Sequence, residues 1–196
     1  LVVHPSLTVK SVKELIDLAK SKPGELNYAS SGTGGSAHLA GALFESLAGV
    51  KFLRVPHKGA GEALTSLLGG QGVHLGFITV PTVVPHVKTG KLRALAVTSA
   101  KVFVTLPGVP TVSATVPGYE SGGQTALFAP PKTPAIVINR LNQEIVRVLN
   151  RTDVKEKFQK AGMEAVGSPP EEFAVTVKSE VNKWGKVIKD AGIQVE

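Results

Sequence analysis

A chain of 196 residues with 42% apolar residues, 21 Gly, 13 Pro and no Cys can bury a core as one medium-sized domain or two small lobes sharing a hinge. Lacking Cys, it has no thiolate metal sites, cysteine nucleophiles or redox pairs, and with only 19% charged residues it is not a disordered chain. The formal charge of +7 is scattered among acids and lacks the basic-aromatic interleaving of base-stacking surfaces, so no nucleic acid is expected as a partner and attraction of small anions is.

In chain order, Leu1-Val2-Val3-His4-Pro5 reads like the middle of a strand. Ser11-Val12-Lys13-Glu14 is a capping box, and Val12, Leu15, Ile16 and Ala19 follow at helical spacing until Lys22-Pro23-Gly24 ends them. Glu25 to Ala29 is strand-like, Ser30-Ser31-Gly32-Thr33-Gly34-Gly35-Ser36 is a loop of small residues, and Ala37 to Phe44 is helical in pattern. The unit repeats in outline. Lys51 to Pro56 reads as strand, Lys58 to Gly61 as turn, Glu62 to Leu68 as short helix and Val73 to Ile78 as strand. A segment from Thr79 to Gly90 and an apolar strand at Leu92 to Val97 follow. Such alternation predicts an α/β lobe with a mostly parallel sheet over residues 1–100. The longest weakly polar stretch, Val73 to Val87, falls short of the roughly 20 apolar residues of a membrane helix.

From residue 101 to 123 Pro and Gly crowd out periodicity, which marks a hinge or connection. Residues 124–196 then predict one short strand, Thr125 to Pro130, and three helices starting at Thr133-Pro134, at Thr152 and at the capping box Ser168-Pro169-Pro170-Glu171. The last carries an apolar stripe of Phe173, Val177, Val181, Trp184 and Ile188 that needs a sheet to cover it. One strand cannot supply that sheet, so this half reads as the C-terminal, mostly helical part of a lobe whose other strands lie upstream.

The loop Ser30 to Ser36 is where chemistry is expected. Glycines between a strand and a helix let unpaired N–H groups converge where the helix dipole favours negative charge. Ser30, Ser31, Thr33 and Ser36 add hydroxyl donors, and no acid in the loop repels an anion. Gly32-x-Gly34-x-x-Ala37 also meets the relaxed dinucleotide fingerprint, which keeps an NADP-dependent oxidoreductase as the alternative reading. The acid expected about 20 residues on is replaced by Pro56-His57-Lys58-Gly59, in which Lys58 suits a 2′-phosphate. His57 and Lys58 follow a strand end, where ligands gather in parallel sheets, and Thr79 holds the corresponding place after the next strand. His38 either reaches the loop or packs beneath it. No catalytic set is visible, since a nucleophile elbow and an ordered acid for a His are both missing. His4, His38, His57, His74 and His86 show no paired spacing for a metal. No cofactor is expected on the leading reading.

Several separated motifs, in order, carry a family resemblance. They are Leu1-Val2-Val3-His4-Pro5-Ser6, Asn27-Tyr28-Ala29-Ser30-Ser31-Gly32, His38-Leu39-Ala40-Gly41, Val55-Pro56-His57-Lys58-Gly59, Leu67-Leu68-Gly69-Gly70-Gln71, Pro85 to Thr98, Leu106 to Val112, Leu127-Phe128-Ala129-Pro130, Arg140-Leu141-Asn142 and Val166 to Phe173. With these the chain resembles the Bug family, the periplasmic solute receptors of tripartite tricarboxylate transporters. The resemblance implies a hinged, two-lobed type II periplasmic binding fold that is not an enzyme, closes on a small organic acid and presents it to membrane permease subunits. It implies that the ligand contacts fall on Ser30, Ser31, Gly32, Thr33, Gly34, Ser36, His38, His57, Lys58 and Thr79, with carboxylate held by amides, hydroxyls and waters. It also implies that an opposing loop from the first lobe lies upstream of Leu1, with roughly a hundred residues of the usual receptor. Dimerisation through uncovered helix faces is then expected. His57 stands where the family commonly has Tyr, Ile78 where many members carry Asp or Asn, and Gln124-Thr125 where Trp-Tyr is frequent. Di- and tricarboxylates, aromatic acids and acidic amino acids all remain open as ligands.

Overall fold

Alternation along Asn27–Ser31 puts Tyr28 and Ser30 on one face of a strand and Ala29 on the other, and the layers form around that division. The computed structural model describes residues 1–70 and 72–194; Gln71, which ends one of the family motifs, lies outside them, as do Val195 and Glu196. Two compact units result, one formed by Leu1–Gly123 with Lys186–Glu196 and the other by Gln124–Gly185.

In the first unit the order is β1 (Val2–Val3), α1 (Val12–Ser21), β2 (Asn27–Ser31), α2 (Ser36–Ala48), β3 (Leu53–His57), α3 (Ala60–Gly69), β4 (Leu75–Gly76), α4 (Val80–Lys88) and β5 (Arg93–Ala94). The Ser11 cap forms as the sequence indicates, its Oγ accepting from the Glu14 amide at 3.1 Å. The sheet order is β3-β2-β4-β1-β5. Here the expectation of a mostly parallel sheet needs correction: β2 runs parallel to β3 and β4, whereas β1 is antiparallel to both β4 and β5. Val2 and Val3 occupy an inner position of the sheet at 2% and 0% exposure, which fits the strand-interior character of the first residues. The strands at Val73 to Ile78 and Leu92 to Val97 are shorter than their apolar runs, because only two residues of each enter the ladder. Val97 instead makes an isolated bridge with Thr111.

One face of the sheet carries an aromatic cluster. Phe44 of α2 stacks on Phe52 at 5.8 Å and meets Phe77 and Tyr119 at 5.9 Å, while Tyr28 lies edge-on to Phe52 and Phe77 at 6.3 Å. Tyr119 donates its hydroxyl proton to the Ala40 carbonyl at 3.1 Å, so the otherwise irregular stretch after β5 pins α2 to the sheet. The other face buries Ala29 with Ala63 and Leu67 of α3 and Val83 of α4. Both layers leave the carboxyl ends of β2, β3 and β4 on one edge, a direct result of their parallel run.

The second unit holds α5 (Ala135–Leu149), α6 (Thr152–Lys160) and most of α7 (Pro170–Asp190). Residues 124–130 form no strand, contrary to the expectation for Thr125 to Pro130. A short apolar run enters a strand only where a neighbour completes its ladder, and among the described residues of this unit none does. The α7 stripe lines an open groove of about 600 Å³, with Phe128 against Phe173 at 5.7 Å and the Trp184 indole donating to Glu180 at 2.7 Å. Phe128 is 77% exposed and Ile136 79%. Among the described residues no helix is long and apolar enough to cross a membrane.

Gly41 sits where α2 crosses the Tyr28 ring. A Cβ there would lie 2.8 Å from ring carbons, which is overpacking against a wholly buried side chain. Gly41→Ala is expected to lower the stability of the first unit by about 1–3 kcal/mol, read as an earlier denaturant midpoint with unchanged slope; an unchanged midpoint would contradict this packing of α2.

Candidate functional site

At the carboxyl edge of the parallel strands, the chain turns from β2 into α2 through Gly32-Thr33-Gly34-Gly35, and at the three glycines a side chain would not be allowed. Gly32 and Gly34 have φ of +59° and +74°, in the region that L side chains avoid. A Cβ on Gly35 would lie 2.4 Å from the Ser31 carbonyl oxygen. The Gly32 amide donates to the His57 carbonyl at 3.0 Å, tying this loop to the end of β3. Gly35 caps α2 in extended conformation without a side-chain acceptor, and the first turn carries no acid. The leading amides of a 13-residue helix therefore stay free for an outside acceptor.

The same edge collects two further helix starts. Gly59 caps α3 and Thr79 caps α4, neither with a side-chain bond to a backbone amide of its helix. At α3 the edge is less receptive, since Glu62 in its first turn accepts from the Lys58 amide at 3.0 Å. The Lys58 and Thr79 side chains are exposed, and the Thr79 hydroxyl pairs with that of Thr82 at 2.8 Å. The His57 Nδ1 is buried and has no hydrogen-bond partner among the described residues. His38, on the first turn of α2, accepts the Gly34 N–H at its Nδ1, 3.1 Å away. Its ring thus holds the loop from inside, and this contact requires that nitrogen to be unprotonated.

The ten expected residues fall into two groups. Ser30, Ser31, Gly32, Thr33, Gly34, Ser36 and His38 make one continuous turn, and His57 is joined to it through the backbone. Lys58 and Thr79 lie at the same edge, and neither hydrogen-bonds to the turn among the described residues. One residue went unnoticed in the sequence. Arg54, on β3 opposite Tyr28, reaches across to β2, its Nη1 donating to Ser30 Oγ at 3.3 Å and to the Gly32 carbonyl at 3.4 Å, and its Nη2 to Thr33 Oγ1 at 3.2 Å. The available signal was a basic residue in the middle of a strand-like run that also opens on Lys51, legible only once the β2–β3 register is known. Ser30 itself is wholly buried. In sum, the edge offers free amides, hydroxyls and a fixed cation, which is a setting for an anion.

The family described as Tripartite tricarboxylate transporter family receptor matches residues 1–193. A curated relative, the UPF0065 protein in the tcbD-tcbE intergenic region of Pseudomonas sp. (strain P51), is 36% identical over 96% of this chain and 56% of its own length. Among solved structures, R. palustris Rpa4515 with adipate superposes with a TM-score of 0.88 at 37% identity, over 98% of this chain and 64% of that one. The periplasmic binding protein BugD gives a TM-score of 0.82 at 30% identity, over 100% of this chain and 66% of that one. The chain thus spans between 56% and 66% of the length of these proteins.

His38 should titrate below the ordinary imidazole value of about 6.5, because burial and then the nearby Arg54 charge disfavour its cation. Between the lowered and ordinary values the unfolded chain binds the extra proton and the folded chain does not. The His38 contribution to stability is therefore complete above about pH 6.5 and is lost as the pH falls through the lowered value. An NMR titration of the ring checks this, and a midpoint at or above the ordinary value would contradict the Gly34 contact.

Proposed function

Since the chain belongs to the tripartite tricarboxylate transporter receptor family, we propose that it acts as an extracytoplasmic solute-binding receptor, not an enzyme, that captures a small organic carboxylate for membrane permease subunits. The observation that carries the reading is the turn from Ser30 to Ser36, which combines a helix start without a side-chain cap, hydroxyl groups, the Arg54 cation bonded to two of them and no acidic side chain. Adipate in the similar Rpa4515 structure supports a dicarboxylate as ligand, and the word periplasmic in the BugD description supports a site of action outside the cytoplasm. On this reading Ser30, Ser31, Thr33 and Ser36 offer hydroxyls, Gly32 and Gly34 shape the turn, His38 braces it, and His57, Lys58 and Thr79 border the ligand. Amide and hydroxyl donors aimed at carboxylate oxygens form charge-assisted bonds that are shorter and stronger than neutral ones.

Thermal denaturation in the presence of adipate, malate, benzoate, glutamate and NADPH tests this reading. A midpoint that rises with one of the acids, in step with its concentration, is the expected result, with stabilisation of about 2.7 kcal/mol at a hundredfold excess over Kd. A rise with NADPH alone would replace the receptor by a dinucleotide enzyme. Thr33→Val removes one hydroxyl and is expected to weaken binding of the stabilising acid by about 1.5–3 kcal/mol, the range for hydrogen bonds to charged groups; unchanged affinity would remove that loop from the site.

A further inference from the structure

Arg54 is a donor-only group, and its three long hydrogen bonds all end on the turn: two on hydroxyl oxygens and one on a carbonyl. A hydroxyl has one proton and two lone pairs. With a lone pair of Ser30 and of Thr33 engaged by the guanidinium, each keeps its proton for another acceptor, and among the described residues neither proton has one. Thr33 is exposed and within reach of a solute, whereas Ser30 is 0% exposed and anchors Arg54 from beneath the surface. Arg54 itself makes no ion pair among the described residues, and the acid nearest in sequence to the end of β3, Glu62, is engaged by the Lys58 amide. A half-buried cation without a counter-charge and, beside it, the exposed Thr33 hydroxyl with an idle proton ask for the same thing, an ionised acceptor.

We propose that Arg54 is a specificity-determining residue of this site, one that makes the Ser30 to Ser36 turn select an ionised carboxylate over a neutral group of the same shape. The inference rests on the receptor reading above and sharpens it. Two effects act together: the fixed charge favours an anion at the turn, and the lone pair engaged by the guanidinium leaves the Thr33 hydroxyl as a donor. A carboxamide carries no charge and turns an N–H₂ to one side, so its carbonyl oxygen alone can accept from the hydroxyl and the guanidinium charge stays unmatched. The Arg54 charge also adds to burial, the larger cause, in disfavouring the His38 cation, which couples the guanidinium to the brace on Gly34.

The test compares binding of adipate and malate with that of adipamide and malamide, in the wild-type chain, Arg54→Gln and Arg54→Lys. Wild type should prefer an acid over its diamide by about tenfold or more, as charge-assisted bonds are roughly twice as strong as neutral ones. Arg54→Gln should lose most of that preference, while Arg54→Lys keeps the charge without the fork and retains preference at reduced affinity. An Arg54→Gln protein that binds the acid with unchanged preference overturns the role of Arg54 and leaves the receptor reading standing. A wild-type chain that binds neither acid overturns both. The ligand-free protein supplies an independent arm, in which Arg54→Gln raises the His38 titration midpoint; a midpoint that does not move overturns the placement of Arg54 against the turn.

Discussion

The parallel ladder of β3, β2 and β4 is the constraint on which the rest of the first unit depends. Parallel strands must end on the same edge, and each is followed here by a helix whose first amides face that edge. Because β2 is the central member, its turn into α2 is flanked on both sides, by the end of β3 through the Gly32 to His57 bond and by the end of β4. The position of the turn is therefore set by backbone hydrogen bonds and by the burial of Tyr28 and Ala29 on opposite faces. Long side chains of its own have no part in it. A turn built this way is organised by the fold itself, which lowers the ordering cost of any binding there.

Packing and chemistry meet at a few small residues. Gly35 leaves no room for a Cβ beside the Ser31 carbonyl, and Gly41 leaves none beside the Tyr28 ring. The first lets the turn close, and the second brings α2 down onto the sheet so that its N-terminus reaches the turn. Above them, Phe44, Phe52, Phe77 and Tyr119 fix the helix at a single distance from the strands. The polar members, His38 and Arg54, then hold the loop from two sides, one accepting an amide and the other donating to hydroxyls. The neutral state of the ring and the permanent charge of the guanidinium are complementary, since a second cation beside Arg54 would be repelled.

Much of this could be read in the residues alone, and the remainder shows where sequence reasoning stops. Ser11 and its helical spacing, the Gly-rich turn before α2 and the long helices after residue 130 all follow from local rules, because caps and helical periods act within a few residues. The antiparallel placement of β1, the two-residue lengths of β4 and β5 and the loss of a strand at Thr125 to Pro130 depend on which neighbour completes a ladder, and that is a tertiary matter. Arg54 escaped notice for the same reason. In the strand-like run from Lys51 to Pro56 it is one of two basic residues, and only the pairing of Arg54 with Tyr28 brings it beside Ser30. His38 was legible as a residue near the turn, and the structure adds that its Nδ1 accepts the Gly34 amide. In the second unit the apolar stripe of α7 was legible, and it lines an open groove.

The central claim is that a carboxylate is held by the turn between β2 and α2. Titrating the isotopically labelled protein with adipate while following backbone amides addresses it most directly. The account predicts that the largest shifts, with one common affinity, fall on Gly32, Thr33, Gly34, Gly35 and Ser36. Saturable shifts confined to the groove around Phe173 and Trp184, with the turn unaffected, would contradict it.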